Sequence, residues 1–208
     1  MAETYTAAVV GAGMGGQGSM RALAASERFE LVAVADLKEE AREEVKKTWL
    51  DTRTFADHGE MFAECPTDIV CVSTWAPSHL EVTRDALALD LKGILVEKPL
   101  ADNHKDGVRI LDMVRNERLP MAVPHGLLVL DHATQILDRV HGGDIGDLKL
   151  VSIECSGWDI INAGIHWLNY AVMLVGQDPF ESVLAACDSS TRTYRDAMQV
   201  ETVAVTYA

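Results

Sequence analysis

The sequence predicts an α/β fold: a doubly wound parallel sheet over residues 1–124, then an incomplete α+β domain with an open, mainly antiparallel sheet over 125–208. Three observations predict it. Apolar, β-rich runs alternate with helical patterns from the start, as strands and crossover helices do in a parallel sheet. The alternation stops at Pro120-Met121-Ala122-Val123-Pro124, a short strand-like stretch whose prolines suit a boundary. Past it come three strand-like and two helical stretches, which make a sheet with at least one raw edge and so predict a truncated second domain.

In chain order, strands are expected at 5–10, 31–35, 69–73 and 94–96, followed by helices at 17–25, 39–49, 78–89 and 103–118. Each strand is a short apolar run, and each helix a longer stretch with helical patterning. In the second part, 133–140 reads as a helix, His141-Gly142-Gly143-Asp144 as a turn, and 148–155 as a strand alternating between two faces. Residues 161–175 read as a helix because Ile161, Ile165, Leu168, Val172 and Val175 recur at helical spacing, with Gly176 as the stop. Strands at 182–186 and 200–206 finish the chain. There is no internal repeat and no low-complexity linker.

With 208 residues, 48% of them hydrophobic, the chain is long enough to bury a real core. A net charge of -14, from 32 acidic against 18 basic residues, argues against nucleic acid or an anionic membrane as the main partner. Cys65, Cys71, Cys155 and Cys187 lack metal-ligand spacing and read as reduced, mostly structural thiols, with no metal expected. The strand-like start predicts no signal peptide, and no apolar run reaches membrane-spanning length, so a cytoplasmic protein is expected.

Chemistry concentrates where the strands end. Gly11-Ala12-Gly13-Met14-Gly15-Gly16 leaves the first strand and opens a helix, as the dinucleotide fingerprint of a Rossmann domain requires. Gly11 permits the tight turn, Gly13 lets the backbone approach a pyrophosphate, and Gly16 allows close helix-strand packing; the helix N-terminus offers free amides to phosphates. Asp36 follows the second strand about twenty residues on, where a ribose-binding acid belongs. Its alternative role is a cap for the helix starting near Lys38. An acid here repels a 2'-phosphate, so NAD is expected over NADP, with Lys38 and Arg42 as the residues able to reverse that preference.

Two further strand exits matter. Ser73-Thr74-Trp75-Ala76-Pro77-Ser78-His79 runs into a helix, with Ser78 as its expected N-cap and His79 either a surface histidine or a cofactor-side contact. Glu97-Lys98-Pro99 ends the apolar run Ile94-Leu95-Val96, at the sheet edge where open α/β proteins bind ligands. A polar strand exit is the alternative reading of that tripeptide. In the second part Asn162, His166 and Asn169 form a polar stripe at i, i+4 and i+7 on a helix with no charged residue between Ile161 and Gly176. A solvated helix face is the plainer account of such a stripe.

Gly11-x-Gly13-x-x-Gly16, Asp36, Ser73-Thr74-x-x-Pro77-x-His79 and Glu97-Lys98-Pro99-Leu100, in this order and spacing, resemble the glucose-fructose oxidoreductase and inositol dehydrogenase (Gfo/Idh/MocA) family of NAD(P)-dependent oxidoreductases. The resemblance spans the first 124 residues. It extends to Gly143-Asp144-Ile145-Gly146-Asp147-Leu148, similar to the family's turn into its second domain, and to Gly164-Ile165-His166 on its cleft helix. It implies an NAD site built from Gly11, Gly13, Met14, Gly15, Gly16, Asp36, Ser73, Thr74, Trp75, Pro77, His79, Glu97, Lys98 and Pro99. The implied reaction is hydride transfer between a nicotinamide and a CH-OH group of a sugar, polyol or related hydroxy compound. Lys98 would stabilise charge on the oxygen and His166 would take its proton. Many members carry an Asp one turn before that histidine; Asn162 stands there in this chain. An amide orients the ring but supplies no charge. His125 lies near the interdomain crossover, as a hinge-packing or cleft residue, and Trp158 and Asp159 are candidates for substrate contact. The second-domain sheet is the surface expected for a homo-oligomer.

Two rival readings are kept. An S-adenosylmethionine-dependent methyltransferase also uses a glycine-rich turn and an acid after the second strand, but Val9 stands where such enzymes usually carry an acid. A non-catalytic nucleotide-binding or assembly protein of the same fold is favoured by Asn162 and the short second part.

Overall fold

The computed structural model describes residues 3–154, 160–176, 181–187, 193–195, 198–200 and 204–207. The chain divides into two compact units, Met1–Pro124 and His125–Ala208.

The first unit is a six-stranded sheet in the order β3-β2-β1-β4-β5-β6. Its elements are β1 (Tyr5–Val10), α1 (Met14–Ala24), β2 (Phe29–Ala35), α2 (Glu39–Thr48), β3 (Arg53–Phe55), α3 (His58–Glu64), β4 (Ile69–Val72), α4 (His79–Ala86), β5 (Gly93–Val96), α5 (His104–Asn116) and β6 (Met121–Ala122). Every neighbouring pair is parallel. Strand order reverses between β1 and β4, so their carboxyl ends flank the topological switch point where such sheets bind ligands.

The two-residue period of the strands explains the two cores. Ala8, Val10, Val70, Val72, Ile94 and Val96 face one side and bury Met61, Phe62, Val82, Ile110 and Val114. Ala7, Val9, Val34 and Cys71 face the other and bury Met20, Leu23 and Val45 from α1 and α2. Strands covered on both faces lose the polar-apolar alternation of half-buried ones, and this is why they read as continuous apolar runs. At about 1.5–3 kcal/mol for each fully buried Val, Ile or Met, these layers are the main favourable contribution to the fold.

The expected strands fall within one or two residues of β1, β2, β4 and β5, and the last shrinks to Met121–Ala122. The first helix starts earlier than expected, at Met14 directly behind the glycine turn. β3 and α3 are additional: β3 has only three residues. Ser78 is not a side-chain cap for α4, because a 3-10 turn at Ala76–Ser78 runs into the helix and leaves Ser78 itself helical, at φ -94° and ψ -7°. Its hydroxyl donates instead to Thr74 Oγ1 at 2.7 Å.

In the second unit a 3-10 turn, Gly126–Val129, precedes α6 (Asp131–His141); Gly143 at φ 83° makes the expected turn after it. Residues 148–154 form no strand, contrary to expectation for that part of 148–155. An alternating pattern becomes a strand only where a partner completes its hydrogen bonds, and no described strand pairs with it. The expected helix at 161–175 is a π-helical turn, Ile160–Gly164, followed by α7 (Ile165–Val175) and ended by Gly176 at φ 87°. Its apolar stripe is less enclosed than expected, with Val172 41% and Val175 39% exposed. The remaining described strands are β7 (Leu184–Cys187), β8 (Thr193–Arg195), β9 (Met198–Val200) and β10 (Ala204–Tyr207). β7 pairs antiparallel with β10, and β8 with β9.

Candidate cofactor site

The glycine turn between β1 and α1 shows which glycines the protein itself requires. Gly11 sits at φ 93°, and a Cβ on it would lie 2.7 Å from the Ser73 carbonyl oxygen. A Cβ on Gly16 would collide with the Gly11 carbonyl oxygen. Gly13 is different: its φ is -67°, and a Cβ there meets no protein atom within 4 Å. Neither conformation nor packing within the chain demands glycine at 13. The open space over its backbone leaves room for a group from outside, such as a dinucleotide pyrophosphate, to approach closely.

The start of α1 fits the same visitor. Gly13 caps the helix without any side-chain bond, and the first turn contains no acidic residue. The first amides of an eleven-residue helix therefore face outward with a partial positive charge, which suits phosphate oxygens. Met14 beside them is 91% exposed.

Asp36, at the end of β2, accepts a hydrogen bond from the Ala12 amide at 2.7 Å with one oxygen and from the Lys38 amide at 2.8 Å with the other. It ties the glycine turn to the β2-α2 turn. Lys38, not Asp36, is the N-cap of α2. Arg42 reaches back from α2 and donates to the carbonyls of Asp36 at 2.8 Å and Leu37 at 3.0 Å. A cation thus lies against the same turn.

Ser73 and Glu97 form the neighbouring strand exits. The Ser73 amide donates to Val10 at 2.7 Å, and its buried hydroxyl shares a hydrogen bond with Ser19 of α1 at 3.0 Å. Ser73 therefore fixes the turn through its own polar groups. Beneath it, burial first and the Glu97 charge second push the Cys71 thiol up to about 12, so it stays protonated at neutral pH. Glu97 continues β5, its amide bonded to Val72 at 2.8 Å, and its side chain packs over the glycine turn with Cγ 3.3 Å from where a Gly15 Cβ would stand. Its carboxylate accepts from the Lys98 amide at 3.1 Å. Lys98 is half-buried, and the Lys98-Pro99 peptide is cis.

His79 differs from the expected cofactor-side contact. The ring is 1% exposed, with Nε2 2.9 Å from the Thr74 carbonyl and Nδ1 3.2 Å from the Leu100 carbonyl. Both edges are occupied by main chain, so His79 holds the two loops that carry Thr74 and Lys98 and offers nothing directly to a ligand. Trp75 is 42% exposed, and Pro77 rigidifies the 3-10 turn. The first unit thus gathers Gly11, Gly13, Gly15, Gly16, Asp36, Ser73, Thr74 and Glu97 at the carboxyl ends of the strands, with Lys98 next to Glu97. Sequence reasoning missed Ser19, although a serine on the buried face of α1 was a signal that a polar partner lay opposite.

In the second unit His166 lies on α7, and its ring meets the ring of His125 edge-on, with centroids 5.4 Å apart at 82°. Tyr170, one turn on, donates to the Ala133 carbonyl of α6 at 2.8 Å. Asn162 falls in the π-helical turn. Trp158 and Asp159 lie outside the described residues. Among the described residues no group of three or more His, Cys, Asp or Glu side chains is placed to hold a metal ion, and no helix is long and apolar enough to cross a membrane.

Comparison with known proteins points to the same fold. Residues 5–125 match the model of an oxidoreductase family with an NAD-binding Rossmann fold, Gfo/Idh/MocA. The chain is 27% identical over 186 residues to the rhizopine catabolism protein MocA of Rhizobium meliloti, covering 82% of this chain and 57% of that protein. It is 33% identical over 111 residues to inositol 2-dehydrogenase of Burkholderia cenocepacia, covering 52% of this chain and 33% of that enzyme. In three dimensions it resembles GenD2 from gentamicin A biosynthesis, solved with NAD, at a TM-score of 0.81 and 20% identity over 99% of this chain and 62% of the other. The chain thus spans less than two thirds of the length of each of these proteins.

Proposed function

The chain belongs to the Gfo/Idh/MocA family of oxidoreductases with an NAD-binding Rossmann fold, and from that premise we propose that it serves an NAD-dependent dehydrogenase acting on a CH-OH group of a polyol or sugar. Gly13 carries this reading: the protein has no use for glycine at that position, and a bound dinucleotide does. Gly11, Gly13, Met14, Gly15, Gly16, Asp36 and Glu97 would hold the cofactor, which supplies a hydride acceptor. Inositol is the leading substrate class, because the relatives include inositol 2-dehydrogenases.

The chain's own residues then have separate tasks. Lys98 offers a cationic donor to the substrate oxygen, steadying negative charge as the proton leaves. His166 is the base that accepts that proton, a task suited to imidazole near neutral pH. Asn162 stands at the position that the resemblance assigns to a carboxylate and orients without adding charge. Residues 1–124 form the cofactor domain, and 125–208 contribute to a substrate and dimerisation domain with an open antiparallel sheet, in a cytoplasmic protein.

Titrating the chain with NADH, NADPH and S-adenosylmethionine, and then assaying NAD reduction with inositols, other polyols, sugars and hydroxy acids, tests the proposal. NADH is expected to bind most tightly and at least one polyol to reduce NAD. Lys98→Ala is expected to lower kcat by about 10²–10³-fold while NADH affinity changes little. Tight NADH binding with no turnover on any substrate would instead favour a non-catalytic nucleotide-binding protein, the reading that Asn162 supports. Preferential binding of S-adenosylmethionine would overturn both.

A further inference from the structure

We propose that Glu97 is a positioning residue for Lys98, seated on the glycine turn at Gly15 so that the start of α1 sets where the lysine stands. Its effect on turnover rests on the dehydrogenase reading above; the seat itself does not. A Cβ on Gly15 would lie 3.3 Å from Glu97 Cγ, 3.4 Å from its Cδ and 3.5 Å from its Oε1, so the outer half of that side chain lies against bare helix backbone. The other carboxylate oxygen accepts a hydrogen bond from the Lys98 amide at 3.1 Å.

Glycine at position 15 needs a reason of its own. The fingerprint Gly11-x-Gly13-x-x-Gly16 leaves that position open, and glycine is a poor residue within a helix, where Met14–Ala24 places it. The three nearest atoms that a Cβ would meet all belong to Glu97. At 3.3 Å the contact is tight, so a side chain at 15 displaces Glu97 by a few tenths of an ångström. Charge favours the same seat: the first turn of α1 has no acidic residue, and Glu97 brings a carboxylate to that helix start from the end of β5.

Both supports of this side chain are held. The Glu97 amide bonds to the Val72 carbonyl at 2.8 Å, and α1 is anchored in the core by Met20 and Leu23. The side chain between them is a strut from the cofactor turn to the Lys98 amide. Lysine reaches a ligand through a flexible four-carbon stem, so the placement of its main chain sets what the ammonium can reach. An ionised acceptor holds that amide more firmly than a neutral one. Groups that act on a substrate must stand within about 0.5 Å of the productive position, so a shift of a few tenths is felt.

The experiment follows the Lys98 amide by heteronuclear NMR in the full chain, without cofactor or substrate, for wild type, Glu97→Ala, Glu97→Gln, Gly15→Ala and the double variant G15A/E97A. E97A is expected to speed hydrogen exchange at the Lys98 amide about tenfold, and E97Q, which keeps an acceptor oxygen, to restore most of the protection. G15A is expected to move the Lys98 amide signal across the sheet edge in the wild-type background and to leave it in place in the E97A background, since the methyl group acts only through Glu97. With a substrate that turns over, E97A is expected to lower kcat about tenfold with little change in KM, and E97Q to recover most of it. Unchanged Lys98 exchange in E97A would overturn the proposal, as would equal G15A shifts in both backgrounds or a wild-type kcat in E97A. Should E97A not fold, G15A decides alone: a Lys98 signal at its wild-type position sinks the proposal. A wild type without turnover that shows the amide pattern would sink the dehydrogenase reading and leave the strut standing.

Discussion

Two glycines five residues apart or less can be required for unrelated reasons, and here stability and binding assays separate them. Gly16→Ala drives a methyl group into the Gly11 carbonyl and is expected to destabilise by more than about 3 kcal/mol or to prevent folding, measured by urea denaturation. Gly13→Ala meets open space at an ordinary φ, so its stability is expected to stay within about 1 kcal/mol, while NADH affinity falls at least tenfold in a fluorescence titration. A pH experiment reads another residue. The Thr6 hydroxyl and then the Thr6 amide, both 2.8 Å from Asp68, hold its carboxyl below the usual carboxylate range. A depressed carboxylate stabilises the fold above its unfolded value, near 4, and loses that contribution as pH falls through its lower folded value. Asp68→Ala is therefore expected to cost about 1 kcal/mol at pH 7, with the gap to wild type narrowing in parallel urea melts as the pH falls through the lowered folded value.

Among the elements, helix starts divide into those that a side chain secures and those that it does not. Asn103 caps α5 by accepting the Asp106 amide at 3.0 Å, and its own amide donates to the Asp106 carboxylate at 2.7 Å. Asn103→Ala is expected to lower stability by about 1 kcal/mol, read from the urea midpoint. The main strands were legible in the sequence because burial on both faces leaves an unbroken apolar run, and α5 because its periodicity spans more than three turns. β3 escaped because three residues carry no period. Yet α3 behind it had a usable signal in Asp57 followed three residues on by Glu60, whose amide Asp57 accepts at 2.9 Å. The segment 148–154 misled in the opposite way: its alternation was real, but a strand is made by its partner.

For the molecule as a whole, the clustering of the candidate cofactor motifs was legible because they lie at strand ends, where sequence order maps directly onto the sheet edge. What the sequence did not disclose were contacts between residues far apart in the chain: Ser19 with Ser73, His79 with Leu100, and His125 with His166. Spacing cannot encode these, since each depends on how two elements pack. NADH at a hundredfold excess over its Kd is expected to stabilise the Met1–Pro124 unit by about 2.7 kcal/mol, measured by calorimetric melting with and without the ligand.

The clasp of Arg42 on the Asp36 and Leu37 carbonyls has a consequence for how such a protein changes its diet. The guanidinium is anchored by main chain, not by the Asp36 carboxylate, so replacing that side chain leaves the cation in place. Asp36→Ser is expected to remove the negative charge and leave a pre-aligned positive one at the corner proposed for the ribose. On the proposed cofactor reading, reversal of preference toward a phosphorylated cofactor is expected from a single side-chain change, with the counter-charge already installed before the need for it arises.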